Sequence, residues 1–288
     1  MLVHINKIVP QARKKKVAIG AFNTSNLEMT LAIARAAVIA KSPIIIQTSE
    51  STIKYAGLKT IFAIIKNIAE TEAKSIPVAI HLDHGKDLDL IKECIAVGYS
   101  SVHCDASEFS FEKNISLTKK VVGFAHKRGS WVQGELGGFA GKEGMSASGL
   151  PKNLDSFFTD PSKVKEYIVK TGIDTLAVSV GTIHGSFKGK EKIHFHLLEQ
   201  INKLAKIPLV LHGASGTDPE EIKQAIKLGA TIINIDTDVR VAFTKALQQT
   251  LSSKIIFYDP RKILAPATEA ASQEVINKIK LFRSSLVK

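Results

Sequence analysis

Eight short apolar runs alternate with eight helical patterns along this chain, and that alternation restricts the fold more than any other feature. The runs cover 17–23, 44–48, 78–82, 101–105, 131–134, 175–180, 209–211 and 232–235. Each is short, apolar and closed by polar residues or glycine, as expected of strands buried on both faces. Between and after them lie helical patterns at 27–41, 58–72, 88–97, 111–128, 161–171, 196–203, 219–228 and 239–251. Asp160-Pro161 and Asp218-Pro219 supply a capping carboxylate and a first-turn proline to two of these helices. Strict alternation favours a closed (β/α)8 TIM barrel, with a doubly wound open sheet as the alternative, because periodicity does not report closure. No linker rich in Pro, Gly or Ser divides the chain, so residues 1–288 read as a single barrel domain.

Two segments exceed a minimal barrel. Residues 136–159 form a long connection with glycines at 137, 138, 141, 144 and 149, the length and composition of an active-site loop. A last helix is expected at about 268–286, capping the barrel or reaching toward a second subunit.

Three histidines mark where chemistry sits. His84 closes Val-Ala-Ile-His-Leu-Asp-His-Gly, His184 lies in Val-Gly-Thr-Ile-His-Gly, and His212 in Leu-Val-Leu-His-Gly-Ala-Ser-Gly. Each stands where an apolar run breaks into glycine, the point at which a barrel strand reaches the active-site mouth. Three neutral imidazoles with an open fourth position suit catalytic zinc. Asp83, next to His84, is placed to orient a ligand or move a proton. His81 and His103, inside strands, read as supporting or packing residues. Gly213-Ala214-Ser215-Gly216 and Asn234-Ile235-Asp236-Thr237-Asp238 close the last two strands, where barrels bind phosphate on backbone N–H groups and small hydroxyls. Gly185-Ser186 is placed to join that cradle.

Charge and composition narrow the partners. The net charge of +12 raises nucleic acid, but 33 of the 39 cations are lysine and aromatics are only 6%. Readers of nucleic acid lean on arginine and stacking aromatics, so attraction for phosphorylated small molecules is the simpler account. Cys94 and Cys104 are too few for a disulfide framework and read as small buried hydrophobes. No apolar stretch has the length of a membrane span and the first ten residues have no signal-peptide core, which together imply a cytoplasmic protein.

The ordered set His-Leu-Asp-His-Gly, Gly-Glu-Leu-Gly-Gly, Gly-Thr-Ile-His-Gly, Leu-His-Gly-Ala-Ser-Gly and Asn-Ile-Asp-Thr-Asp resembles the class II, metal-dependent ketose-bisphosphate aldolases. The likeness runs from Gly20-Ala21-Phe22-Asn23 to Asp259-Pro260-Arg261-Lys262. It implies that His84, His184 and His212 hold one zinc ion, a Lewis acid for the ketone and for the enediolate formed on cleavage. It further implies that Asp83 exchanges the C4 hydroxyl proton and that Glu143, on the long loop, exchanges the proton at the enediolate carbon. Asp105 and Glu135 match acidic residues that hold the metal transiently or orient its ligands. Gly185, Gly213, Ser215 and Thr237 would receive one phosphate, with a monovalent cation often nearby, and Asn234 and Asp236 the dihydroxyacetone portion. Arg240 and Arg261 would grip the phosphate at the other end, where arginine offers a bidentate fork. The Asp-Pro-Arg element goes with fructose 1,6-bisphosphate, and tagatose 1,6-bisphosphate is the alternative substrate. The family's habit also implies a homodimer or a higher homo-oligomer.

Two positions depart from the family's commonest pattern: Ala214 stands where a second glycine is usual, and Gln133 where an acidic residue is usual. A reading from a different class is a basic nucleic-acid- or surface-binding protein with a vestigial metal site. The complete histidine set and Asp83 argue against it.

Overall fold

A computed structural model describes residues 1–138, 141–147, 157–182, 184–187, 192–253 and 258–283, the stretches 141–147 and 184–187 by their backbone alone. Eight parallel strands close into a barrel: β1 (Ile19–Asn23), β2 (Ile44–Ser49), β3 (Val78–Gly85), β4 (Ser101–Cys104), β5 (Trp131–Leu136), β7 (Thr175–Val178), β9 (Leu209–Leu211) and β10 (Ala230–Ile235). Closure is made by β1 pairing with both β2 and β10, which rules out the open sheet. Every expected strand is present, with ends that move by a few residues.

The strands alternate inward and outward with a period of two, and the inward face changes character from bottom to top. Ile19, Ala21, Ile45, Ala79, Ala177, Val210 and Ile232 pack inside the lower barrel. Two residues further along their strands stand Asn23, Gln47, His81, His212 and Asn234, all buried. The barrel is therefore an apolar plug below and a polar chamber above. Phe22, Ile44, Ile46, Val78, Ile80 and Leu82, on the alternate positions, pack outward against the helices.

The helical layer holds the expected segments: α2 (Leu27–Ile39), α4 (Leu58–Glu70), α5 (Leu88–Val97), α6 (Phe111–His126), α7 (Pro161–Thr171), α8 (Phe195–Ala205), α9 (Pro219–Lys227) and α10 (Thr237–Leu251). Among the described residues two short α-helices are additional. α1 (Val9–Lys15) closes the bottom, with Ile8, Val9 and Ala12 against the inward barrel residues. α3 (Glu50–Ala56) is capped by Ser49 and stopped by Gly57 at φ 81°.

The last helix, α11 (Pro260–Phe282), starts earlier than expected. Asp259 caps it and Pro260 fills its first position, while Pro266 is carried inside the helix. It packs against α10 and α2. Cys94 and Cys104 are buried and unbridged, and burial pushes their thiols up to about 12 and about 11. They are inert apolar fillers at neutral pH, as expected from the sequence.

The stretch read as a loop after β5 contains a strand, β6 (Gly141–Ala147), that pairs in parallel with β8 (His184–Phe187) in a separate two-stranded sheet. His184 therefore opens a strand outside the barrel sheet, beyond the end of β7, and does not close a barrel strand as His84 and His212 do. Among the described residues no helix is long and apolar enough to cross a membrane.

Candidate active site

β3 ends in an irregularity that sets up the site. Its pairing with β4 slips between Leu82 and Gly85, and within the slip His84 takes φ 47°. Strict alternation would point Asp83 and His84 to opposite faces. A bulge re-aims one of them, so both reach the chamber. Gly85 permits the close pass that follows, since a Cβ there would lie 2.7 Å from the His103 carbonyl oxygen.

His84 and His212 face each other, with His84 Nε2 and His212 Nδ1 2.9 Å apart. The other His84 nitrogen, Nδ1, meets Asp105 Oδ2 at 2.8 Å. Asp105 also accepts from the Ser107 hydroxyl at 2.7 Å. Burial alone would raise the Asp105 carboxyl, but the His84 ring and the Ser107 hydroxyl hold it well below the usual carboxylate range. A fixed carboxylate on Nδ1 leaves the Nε2 lone pair of His84 directed into the chamber, the orientation that metal-bound histidines adopt.

His103 joins them. Its ring lies 4.8 Å from that of His84 and 5.3 Å from that of His212, centroid to centroid. Its Nδ1 accepts from the His84 backbone N–H at 3.2 Å, and its Nε2 is 3.3 Å from Glu135 Oε2. Both of those last atoms are buried without a hydrogen-bond partner among the described residues. Asp83, His84, His103 and His212 each offer a ligand atom within 4.8 Å of the others, and so do His84, His103, Asp105 and Glu135. Nitrogen and carboxylate donors this close, with His103 Nε2 and Glu135 Oε2 lacking a hydrogen-bond partner among the described residues, fit a zinc ion by number and type. The side chains of His184 and Glu143, and that of Ser186 beside Gly185, lie outside the described residues.

Asp83 is fully buried and held from three sides. Asn23 Nδ2 donates to its Oδ2 at 2.9 Å, Gln47 Nε2 to the same oxygen at 3.3 Å, and Asn234 Nδ2 to Oδ1 at 3.3 Å. Burial works to raise this carboxyl, yet the His84 ring, the Asn23 amide and the His103 and His81 rings outweigh it and keep it below its ordinary value. His81 does not enter the metal-capable groups: burial drives its imidazole down to about 3, and its Nδ1 bonds the Ser101 hydroxyl at 2.7 Å.

Gln133, the departure from the acidic pattern, reaches His212: its amide nitrogen lies 2.9 Å from His212 Nε2. An amide can turn to accept from that nitrogen when Nδ1 gives its lone pair to a metal. Gln133→Leu is therefore expected to weaken zinc affinity by about 10–100-fold, the usual effect of losing a ligand's outer partner. A titration against a competing chelator measures it.

The glycine loop after β9 sits beside the start of α10. Gly213 and Gly216 take φ 65° and 80°, whereas Ala214 takes no positive φ, so its methyl costs no strain. Gly216 N–H donates to Asp238 Oδ2 at 3.1 Å, and Asp238 N–H meets Ser215 Oγ at 3.4 Å. Lys278 of α11 pairs with Asp238 and with Glu274. The last helix thus braces the loop through one carboxylate. Lys278→Met is expected to cost about 1–3 kcal/mol, between exposed and buried ion pairs. It should raise KM for a phosphorylated substrate more than it lowers kcat, readable from denaturation and steady-state rates.

At the end of β10, Asn234 Oδ1 and Asp236 Oδ2 are buried acceptors without partners among the described residues, and Thr237 opens α10 beside them. Burial raises the Asp236 carboxyl, while Arg240, which donates to its Oδ1, pulls the other way. Arg261 is exposed on the first turn of α11 and bonds Asp259 of its own turn. Among the described residues it makes no contact with the histidine cluster. Sequence reading passed over Asn23 and Gln47 and took His103 for a supporting or packing residue, whereas His103 stands in both metal-capable groups. The available signal was their spacing, since each shares the inward face of a strand with an apolar or acidic residue two positions away.

A family model described as class II fructose-bisphosphate aldolase matches residues 3–286. A fructose-bisphosphate aldolase of Geobacillus stearothermophilus is 41% identical over 286 residues, 99% of this chain and 98% of that protein. A probable fructose-bisphosphate aldolase of Bacillus subtilis is 41% identical over the same shares. Among solved structures, the YdjI aldolase of Escherichia coli K12 superposes with a TM-score of 0.86 at 32% identity, covering 99% of this chain and 98% of its own. Barrel, motifs and full-length identity agree: this chain belongs to the class II fructose-bisphosphate aldolase family, whose members depend on zinc.

Proposed function

We propose that this chain cleaves fructose 1,6-bisphosphate reversibly to dihydroxyacetone phosphate and glyceraldehyde 3-phosphate with one zinc ion. The observation that carries the reading is the facing pair His84 Nε2 and His212 Nδ1 beside the buried, ionised Asp83. His84 and His212, with His184 as third ligand, would hold the ion, and Asp105 would fix the His84 ring. Bound zinc supplies a Lewis acid for the ketone oxygen of the substrate.

The chain's own residues account for the rest. Asp83, held ionised, takes the C4 hydroxyl proton as the C3–C4 bond breaks, leaving the aldehyde, and returns it in condensation. Glu143 exchanges the proton at C3 of the dihydroxyacetone half. The orphaned acceptors of Asn234 and Asp236 receive the hydroxyls of that half. Gly185, Gly213, Ser215 and Thr237 receive its phosphate, with a monovalent cation alongside. Arg240 and Arg261 hold the far phosphate, Arg261 in the setting of a homodimer or higher homo-oligomer. Glu135, beside His103, holds the ion in transit or positions its ligands. We place the enzyme in the cytoplasm and read residues 1–288 as one catalytic domain.

Steady-state cleavage before and after chelation, with zinc returned, tests the reading. Activity lost to the chelator and restored by zinc is expected, with fructose 1,6-bisphosphate turned over faster than tagatose 1,6-bisphosphate. Activity indifferent to a chelator that demonstrably strips the protein would sink it.

A further inference from the structure

The end of the barrel opposite the histidine cluster carries a cavity of about 570 Å³, within the range of small-molecule sites. It lies beneath the starts of β1, β2 and β3 and is walled on one side by α1. Its lining is apolar along Val3, Ile8, Ala12, Val17, Pro43 and Pro77. Lys7, Lys15 and Arg283 also line it, and among the described residues no carboxylate does.

Charge decides what such a cavity accepts. Lys7 and Lys15 are exposed, and neither pairs with a carboxylate among the described residues. Arg283 is steadied by Nη1 donating to the carbonyls of Ala40 and Lys41, at 3.2 and 3.0 Å, and among the described residues its Nη2 and Nε donors are left for a ligand. Three cations over an apolar pocket favour a molecule that is apolar at one end and anionic at the other. A metal ion would find no carboxylate here. A sugar phosphate would find Gln11 and Ser42 for some of its hydroxyls and leave the rest against proline and valine, and a cationic amphiphile would be repelled.

We propose that this cavity binds a small amphiphilic anion, an acyl or aryl chain bearing one carboxylate, at a site separate from the catalytic mouth. The apolar chain lies against Val3, Ile8, Ala12 and Val17, and the carboxylate meets Lys7, Lys15 and the free edge of Arg283. Residues 284–288, which follow Arg283, lie outside the described residues and contain Leu286 and Val287. The test therefore has to separate a free ligand from the chain's own end.

Calorimetric titration of the full chain with octanoate, octanol and octyltrimethylammonium decides the matter. Saturable one-to-one binding of octanoate is expected, tightening about two- to fourfold per methylene from hexanoate onward. Octanol should bind at least about fivefold more weakly and the cation not at all. The double variant Lys7→Glu, Lys15→Glu should weaken octanoate by about tenfold or more, with an unchanged melting temperature and unchanged cleavage of fructose 1,6-bisphosphate. Absence of saturable octanoate binding overturns the proposal, as does equal affinity in the double variant. Binding seen only in a chain ending at Arg283 also overturns it, because the chain's own end would then be the occupant.

Discussion

Asp83→Asn is expected to lower kcat for cleavage of fructose 1,6-bisphosphate by about 10²–10⁴-fold, the range for removing a positioned general base, while zinc content stays at one ion per chain. The carboxylate accepts from Asn23 and Gln47 on one oxygen and from Asn234 on the other. An amide at this position keeps the shape and loses the charge. It must also aim its N–H₂ at one of those donors, so a buried donor faces a donor, at a cost of about 1–3 kcal/mol in stability. The three readouts separate the possible roles. A kcat loss with KM and zinc unchanged marks a group acting on the reacting proton. A loss that follows zinc content marks a group that only positions His84, whose Nε2 lies 3.9 Å from Asp83 Oδ1. Full activity in the variant would assign the C4 proton to another residue.

The eight strands were legible because parallel strands covered on both faces leave uninterrupted apolar runs, and glycine, proline or a polar residue ends each one. His84 and His212 were legible for the same reason, as polar residues at the breaks. The harder features lie where local pattern carries no long-range information. Gly141–Ala147 lacks apolar alternation and carries glycines at 141 and 144 that read as loop, and it becomes a strand only through its pairing with His184–Phe187. α1 is seven residues long, too short for periodicity to reveal, and its place under the barrel depends on Ile8, Val9 and Ala12 meeting residues spread along the chain from Val17 to Ile232. His103 could have been found. It stands two residues before Asp105 and pairs in register with Gln133, itself two before Glu135, so the period of two puts all four on the inward face. The bulge at the end of β3 gave no such warning, since nothing in Leu-Asp-His-Gly announces a left-handed residue.

That bulge leads to the second large expectation, the comparison of His84→Ala with His84→Gly. His84 holds φ 47°, a conformation that costs a residue with a Cβ about 1–2 kcal/mol and glycine almost nothing. Both variants remove the imidazole that faces His212 and bonds Asp105, so both leave the Asp105 carboxylate with fewer partners. Both are expected to lose zinc affinity by more than the roughly 10–100-fold that loss of an outer partner costs, and to lose cleavage with it. They should differ in stability. In metal-free protein the Gly variant should resist denaturation better than the Ala variant by about 1 kcal/mol, since it alone escapes the strain. Histidine at this position would then be a residue retained for its ligand nitrogen against the preference of its own backbone. Equal stability of the two variants would show instead that the bulge is relaxed when the ring is absent, and that the ring's bonds to Asp105 and His212 are what hold the backbone in its turn.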